Sequence, residues 1–148
     1  MVNESRADVR LPEVNQRMID PGVTAVQVRG ELDLATVGQL EARVDHALTL
    51  GSRPLLIDFT ACGFIDSSVI SLLVDLRVRL GNSGRPRFAI AAEDQPLRVL
   101  RLTGLDHEMP VFASLPEALR ALDRSAPDPS PTAVLPPSAS AALITSPE

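Results

Sequence analysis

Tryptophan and tyrosine are absent from the 148 residues, which leaves the aromatic share at 3%. Without rings to stack on, the chain has no platform for unpaired bases. Positive charge is also short. The 14 Lys and Arg stand against 19 Asp and Glu, a formal net charge of -5, which removes the phosphate-neutralising term that dominates nucleic-acid affinity. Both shortages argue against a nucleic-acid partner. The single cysteine, Cys62, allows no internal disulfide, as suits a reducing compartment. It is expected in the loop before Asp66, either as a small buried hydrophobe or as the site of an intermolecular disulfide or redox input. The two histidines, His46 and His107, lie in no metal-ligand spacing with it, so no metal and no cofactor are expected. Neither G-x-S-x-G nor G-x-x-x-x-G-K-S/T occurs, and no enzyme constellation is visible. No apolar run is long enough to span a bilayer, so no membrane partner is expected. Met1-Val2-Asn3-Glu4-Ser5-Arg6 lacks the apolar core of a secretory signal. A cytoplasmic protein is the expectation.

What is present is 45% hydrophobic content, enough for one domain with a core of its own. Residues 1–10 read as a flexible arm, 11–123 as the folded domain, and 124–148 as a disordered Pro/Ser/Ala-rich tail carrying Pro127, Pro129, Pro131, Pro136, Pro137 and Pro147. The tail is read as a spacer, or alternatively as a docking segment for a Pro-recognising groove. Within the domain, Leu11, Val14 and Met18 lead through the Asp20-Pro21-Gly22 turn to Val23, Ala25, Val26 and Val28, which predicts a β-hairpin. Gly30 closes the second strand. Val37, Leu40, Val44 and Leu48 share a helical face, with Thr36 or Asp33 as cap and Gly51 as stop. Leu55-Leu56-Ile57-Asp58-Phe59 is a short apolar run suited to a central strand, Phe88 to Ala91 a further one, and Met109 to Ala113 a brief last one. Helices are predicted after Asp66, from Pro96 to Leu102, and after Ser114, which forms a capping box with Glu117. The fold class is therefore α/β, a mixed β-sheet of four to five strands with helices packed mainly on one face.

The segment with most to say is Phe64-Ile65-Asp66-Ser67-Ser68-Val69-Ile70. Ile70, Leu73, Val74 and Val78 recur at helical spacing, so Asp66, Ser67 and Ser68 fall at the helix N-terminus. Short oxygen-bearing side chains are favoured there for capping alone. Asp33 and Asp66 arrive at the C-terminal edge of the sheet, where functional loops gather, and form an acidic rim around Ser67. Asp58 is expected paired or at that same edge. Asp33 reads equally as a turn or cap and as a partner contact.

Gly30-Glu31-Leu32-Asp33, Leu56-Ile57-Asp58-Phe59, Phe64-Ile65-Asp66-Ser67-Ser68 and Leu102-Thr103-Gly104-Leu105 occur in an order and at separations that resemble the STAS family of anti-sigma factor antagonists, over about Leu11 to Leu122. The resemblance implies a STAS-like fold and a switch. Such a protein binds an anti-sigma factor that is also a serine kinase, frees a sigma factor, and is turned off by phosphorylation at the Ser after the signature Asp. Carried over by position, the phosphoacceptor is Ser67 with Ser68 its neighbour, and the partner-binding residues are Glu31, Asp33, Asp66, Ser67, Ser68 and Val69. A serine phosphatase would be the second partner. Where the family signature D-S-S/T-G-L/I has Gly-Leu, this chain has Val69-Ile70. A β-branched residue there fills and stiffens the space that glycine would leave to a partner's backbone, which favours binding over phosphorylation. The alternatives are a constitutive, never phosphorylated STAS binding module, a small-ligand or lipid-handling subunit of a transporter assembly, and an enzyme using Ser67 as nucleophile.

Overall fold

The computed structural model describes residues 11–19, 22–51, 53–81 and 87–123. The arm, the tail, Asp20-Pro21 and the Asn82 to Gly84 turn read from the sequence lie outside these residues.

Five strands form one sheet: β1 (Glu13–Ile19), β2 (Val23–Leu32), β3 (Leu55–Ile65), β4 (Phe88–Ala92) and β5 (Val111–Phe112). They lie side by side in chain order, β1 antiparallel to β2 and the remaining pairs parallel. Helices α1 (Val37–Leu48), α2 (Ser67–Leu80) and α3 (Asp94–Leu102) make the three crossovers, a 3-10 turn (Leu105–His107) precedes β5, and α4 (Leu115–Leu122) follows it. Sheet order that advances one strand at a time, with crossovers of one hand, puts every crossover helix on the same face. Among the described residues α4 connects to no further strand, and it covers the opposite face.

Side-chain alternation divides the sheet accordingly. Val26, Val28, Leu55, Ile57, Phe59, Ile90 and Ala92 pack with Leu40 and Val44 of α1, Leu72, Leu73 and Leu76 of α2, and Leu100 of α3. Val23, Ala25, Leu56, Ala89 and Ala91 pack with Ala118 and Leu122 of α4. The mixed sheet with helices mainly on one face is as expected from the sequence.

Two strand ends differ from expectation. β2 does not stop at Gly30. That residue takes a φ of +84°, which glycine supplies without a Cβ clash, and the strand shifts register there and continues to Leu32. β3 runs on past Phe59 for the same reason: Ala61, Cys62, Phe64 and Ile65 find ladder partners in Arg29 to Leu32. Cys62 is therefore a strand residue and not a loop residue. It is buried, its Sγ donates to the Phe64 carbonyl at 3.3 Å, and burial above all, with the charge of Glu31 adding, pushes its thiol pKa up. That environment suppresses the thiolate on which redox reactivity depends. Asp58 lies inside β3, and of its two expected settings it takes the paired one. It is only 5% exposed and accepts from Gln27 Nε2 at 3.2 Å, Thr60 N at 2.9 Å and Thr60 Oγ1 at 2.7 Å. Those donors offset the desolvation of its charge.

Phe59 is fully buried at the centre of the larger core. Phe59→Ala is expected to destabilise the domain by about 3–5 kcal/mol, seen as a lower urea midpoint at unchanged m-value.

Candidate functional site

β2 and β3 run parallel, so the turn before α1 and the start of α2 emerge at one edge of the sheet. Asp66, the N-cap of α2, joins them. Its Oδ1 accepts from Ser68 N at 2.9 Å and from Ser68 Oγ at 2.5 Å, and its Oδ2 accepts from Leu34 N at 3.1 Å. The Ser68 hydroxyl, followed by these backbone donors, holds the Asp66 carboxyl below its ordinary range.

The two serines thus differ. Ser68, half-buried at the second position of α2, has its hydroxyl committed to Asp66. Ser67, at the first position, is exposed, and its hydroxyl makes no hydrogen bond among the described residues. Asp33 organises the turn before α1: its Oδ1 accepts from Ala35 N at 3.1 Å and Thr36 Oγ1 at 3.0 Å, while its backbone carbonyl takes the Thr36 and Val37 N–H groups. It is a turn-former and also exposed on the rim. Glu31, exposed, pairs in register with Phe64. The edge therefore gathers Glu31, Asp33, Asp66, Ser67 and Ser68.

Val69 is the exception. It has 0% exposure and belongs to the larger core, so it offers no side chain to a partner. At the third helical position its Cβ is directed inward, and its bulk does not stand over Ser67. Ile70 is half-buried against the same core. The Val69 side chain thus adds no exposed bulk beside Ser67.

Sequence reasoning missed three participants. Gln95 of α3 grips the end of β3 from the side, its Oε1 accepting from Ile65 N at 2.9 Å and its Nε2 donating to Ile65 O at 3.0 Å. It follows Asp94, which adopts a left-handed φ of +55°, a region Asp tolerates better than most side chains. Leu34 and Phe64 are 77% and 40% exposed at the same edge. An apolar residue directly after the turn-forming Asp33 was the available signal for Leu34; a contact thirty residues distant leaves no local trace of Gln95. Asp58 is absent from this rim.

Residues 16–118 match the family model described as STAS domain. The chain is 29% identical over 99 residues to a Mycobacterium tuberculosis protein named anti-sigma-F factor antagonist RsfB, covering 66% of this chain and 80% of that one. Among solved structures, an anti-sigma factor antagonist from Mycobacterium paratuberculosis superposes with a TM-score of 0.69 at 30% identity, covering 76% of this chain and 94% of its own. The anti-sigma factor antagonist SpoIIAA in its unphosphorylated form gives 0.54 at 25% identity, covering 72% and 93%.

Because the Asp66 pKa is lowered in the folded state, its contribution to stability is present above the ordinary Asp pKa of about 4 and is lost as pH falls through the folded value. Asp66→Ala is expected to lose about 1 kcal/mol at neutral pH, the usual cost of removing an N-cap. That deficit relative to the unaltered protein should shrink below about pH 4, as urea titrations across pH would reveal.

Proposed function

The chain belongs to the STAS-domain family, and from that premise we propose that it is an anti-sigma factor antagonist switched by phosphorylation of Ser67. In the unmodified state the edge formed by Glu31 to Leu34 and the start of α2 binds an anti-sigma factor, which then releases its sigma factor. This is a cytoplasmic protein–protein switch, and the protein itself is no enzyme. The relatives named as antagonists support the partner class, and the SpoIIAA description distinguishes an unphosphorylated form of that protein.

The observation that carries the choice of residue is the difference between the two hydroxyls. Ser67 is exposed and uncommitted, whereas Ser68 would have to give up its bond to Asp66 before accepting a phosphoryl group. The inward Val69 supports phosphorylation as much as binding, because the approach to Ser67 is not narrowed by it. The kinase would be the anti-sigma factor itself, and a serine phosphatase would reset the switch.

A phosphate adds about -1.5 to -2 charges at pH 7. At Ser67 these charges sit at the N-terminus of the helix α2, where the macrodipole and unpaired N–H groups favour an anion, so the fold survives the modification. The partner bears the cost, since docking must now desolvate the phosphate beside Asp66 and the exposed Asp33 and Glu31. A penalty of a few kcal/mol corresponds to about a hundredfold in affinity.

Incubation with ATP and each anti-sigma kinase of the same cell, followed by intact-mass spectrometry, should add a single phosphate that persists in Ser68→Ala and disappears in Ser67→Ala. The phosphorylated form should bind that kinase about a hundredfold more weakly by titration calorimetry. Phosphate retained in Ser67→Ala refutes the site; absence of binding to every anti-sigma factor refutes the function.

A further inference from the structure

Beside Ser68, a groove of about 380 Å³ runs along the seam between α1 and α2. Leu34, Val37 and Leu72 give it apolar walls, Ser71 adds a hydroxyl, and Glu41 and Asp75 place a carboxylate on either helix. Ligand clefts usually span about 300–1,000 Å³, so this one has room for a single long side chain and little more. Its walls ask for an apolar stem and its rim for a positive head.

The next turn of the same seam shows such an occupant. Arg79 lies there with Nη2 3.0 Å from Asp45 Oδ1 and Nε 3.8 Å from Asp75 Oδ2. Asp45 is four residues after Glu41 on α1, and Asp75 four after Ser71 on α2, which is one helical turn in each case. The groove is therefore the interval one turn closer to Ser67, with Glu41 in the place of Asp45 and Ser71 in that of Asp75, and it shares the Asp75 carboxylate with Arg79 while Glu41 has no arginine of its own. Glu41 has no ion pair or hydrogen bond among the described residues. The groove is also continuous with the Ser67 surface: Leu34, 77% exposed at its lip, is held through its N–H by Asp66, and Ser68 lines its upper end.

Resting on the antagonist reading above, we propose that this groove receives an arginine side chain of the anti-sigma factor. Its methylenes pack on Leu34, Val37 and Leu72, and its guanidinium lies between Glu41 and Asp75. Arginine fits better than lysine because a planar, weakly hydrated fork can serve two carboxylates at once while its stem covers apolar surface. The same insertion covers the exposed Leu34, which adds apolar burial beside the charge pair.

The test uses the full chain and the anti-sigma factor of the same cell that binds it. Glu41→Gln should raise Kd about tenfold, and Glu41→Lys further, with unchanged circular dichroism, whereas Glu117→Gln on α4 should leave Kd unchanged. A partner Arg→Glu substitution that restores binding to Glu41→Lys would identify the inserted side chain. Equal Kd values for Glu41→Gln, Glu41→Lys and the unaltered chain overturn the groove proposal and leave the antagonist reading intact. Failure of the unaltered chain to bind any anti-sigma factor removes the antagonist reading, and this proposal with it. A homodimer in sedimentation equilibrium that Glu41→Lys dissolves would assign the groove to a second copy and overturn the proposal in that way.

Discussion

One carboxylate holds the working edge of this protein together. Asp66 takes the N–H and hydroxyl of Ser68 on one oxygen and the Leu34 N–H on the other. It thereby caps α2, ties the turn before α1 to it, and leaves the Ser67 hydroxyl without a hydrogen bond among the described residues. The capping contribution is ordinary in size; its location gives it consequence. Because the same group fixes the helix start and the Leu34 lip, any partner resting on one also rests on the other. Gln95 supplies the rear support by bonding both backbone polar groups of Ile65, so the position of Asp66 depends on α3 as well as on its own strand.

Much of this was legible in the amino-acid order. Period-two and period-3.6 patterns located the five strands and four helices of the described residues, because most core-facing positions on these elements are apolar and the breaks carry Gly, Pro or a short polar side chain. The extent of β3 and the place of Cys62 differ from expectation for one cause. The apolar run ends at Phe59 and Thr60 to Gly63 has no apolar alternation, yet the ladder is made by the backbone, and β2 extends alongside to meet it. Cys62 falls in the strand and not in a loop as a direct result. The motif places Val69 on the surface, whereas its position in the first turn of α2 turns it to the core. Gln95 was invisible because its partner is remote in sequence and close only across the sheet edge.

The two faces of the sheet have separate duties. The face under α1, α2 and α3 holds the larger core, including Phe59 and Leu73. The other is covered by α4 over β3 and β4, while Glu13 and Arg29 stay exposed as an ion pair at 3.7 Å, a weak contact at such solvent access. The Ser67 edge stands at the C-terminal ends of the parallel strands, where neither face has to surrender packing to make room for it.

Strands that lie in chain order carry a consequence for how the protein is made. Every neighbour in the sheet is the next strand in the sequence, so no strand has to be inserted between two already paired, and the sheet can lengthen from the local β1–β2 hairpin outward as the chain leaves the ribosome. Such an order keeps sequence separation between contacts low for a largely parallel sheet and favours rapid folding. The Ser67 edge is complete once α3 has emerged and Gln95 has closed on Ile65, before α4 is synthesised.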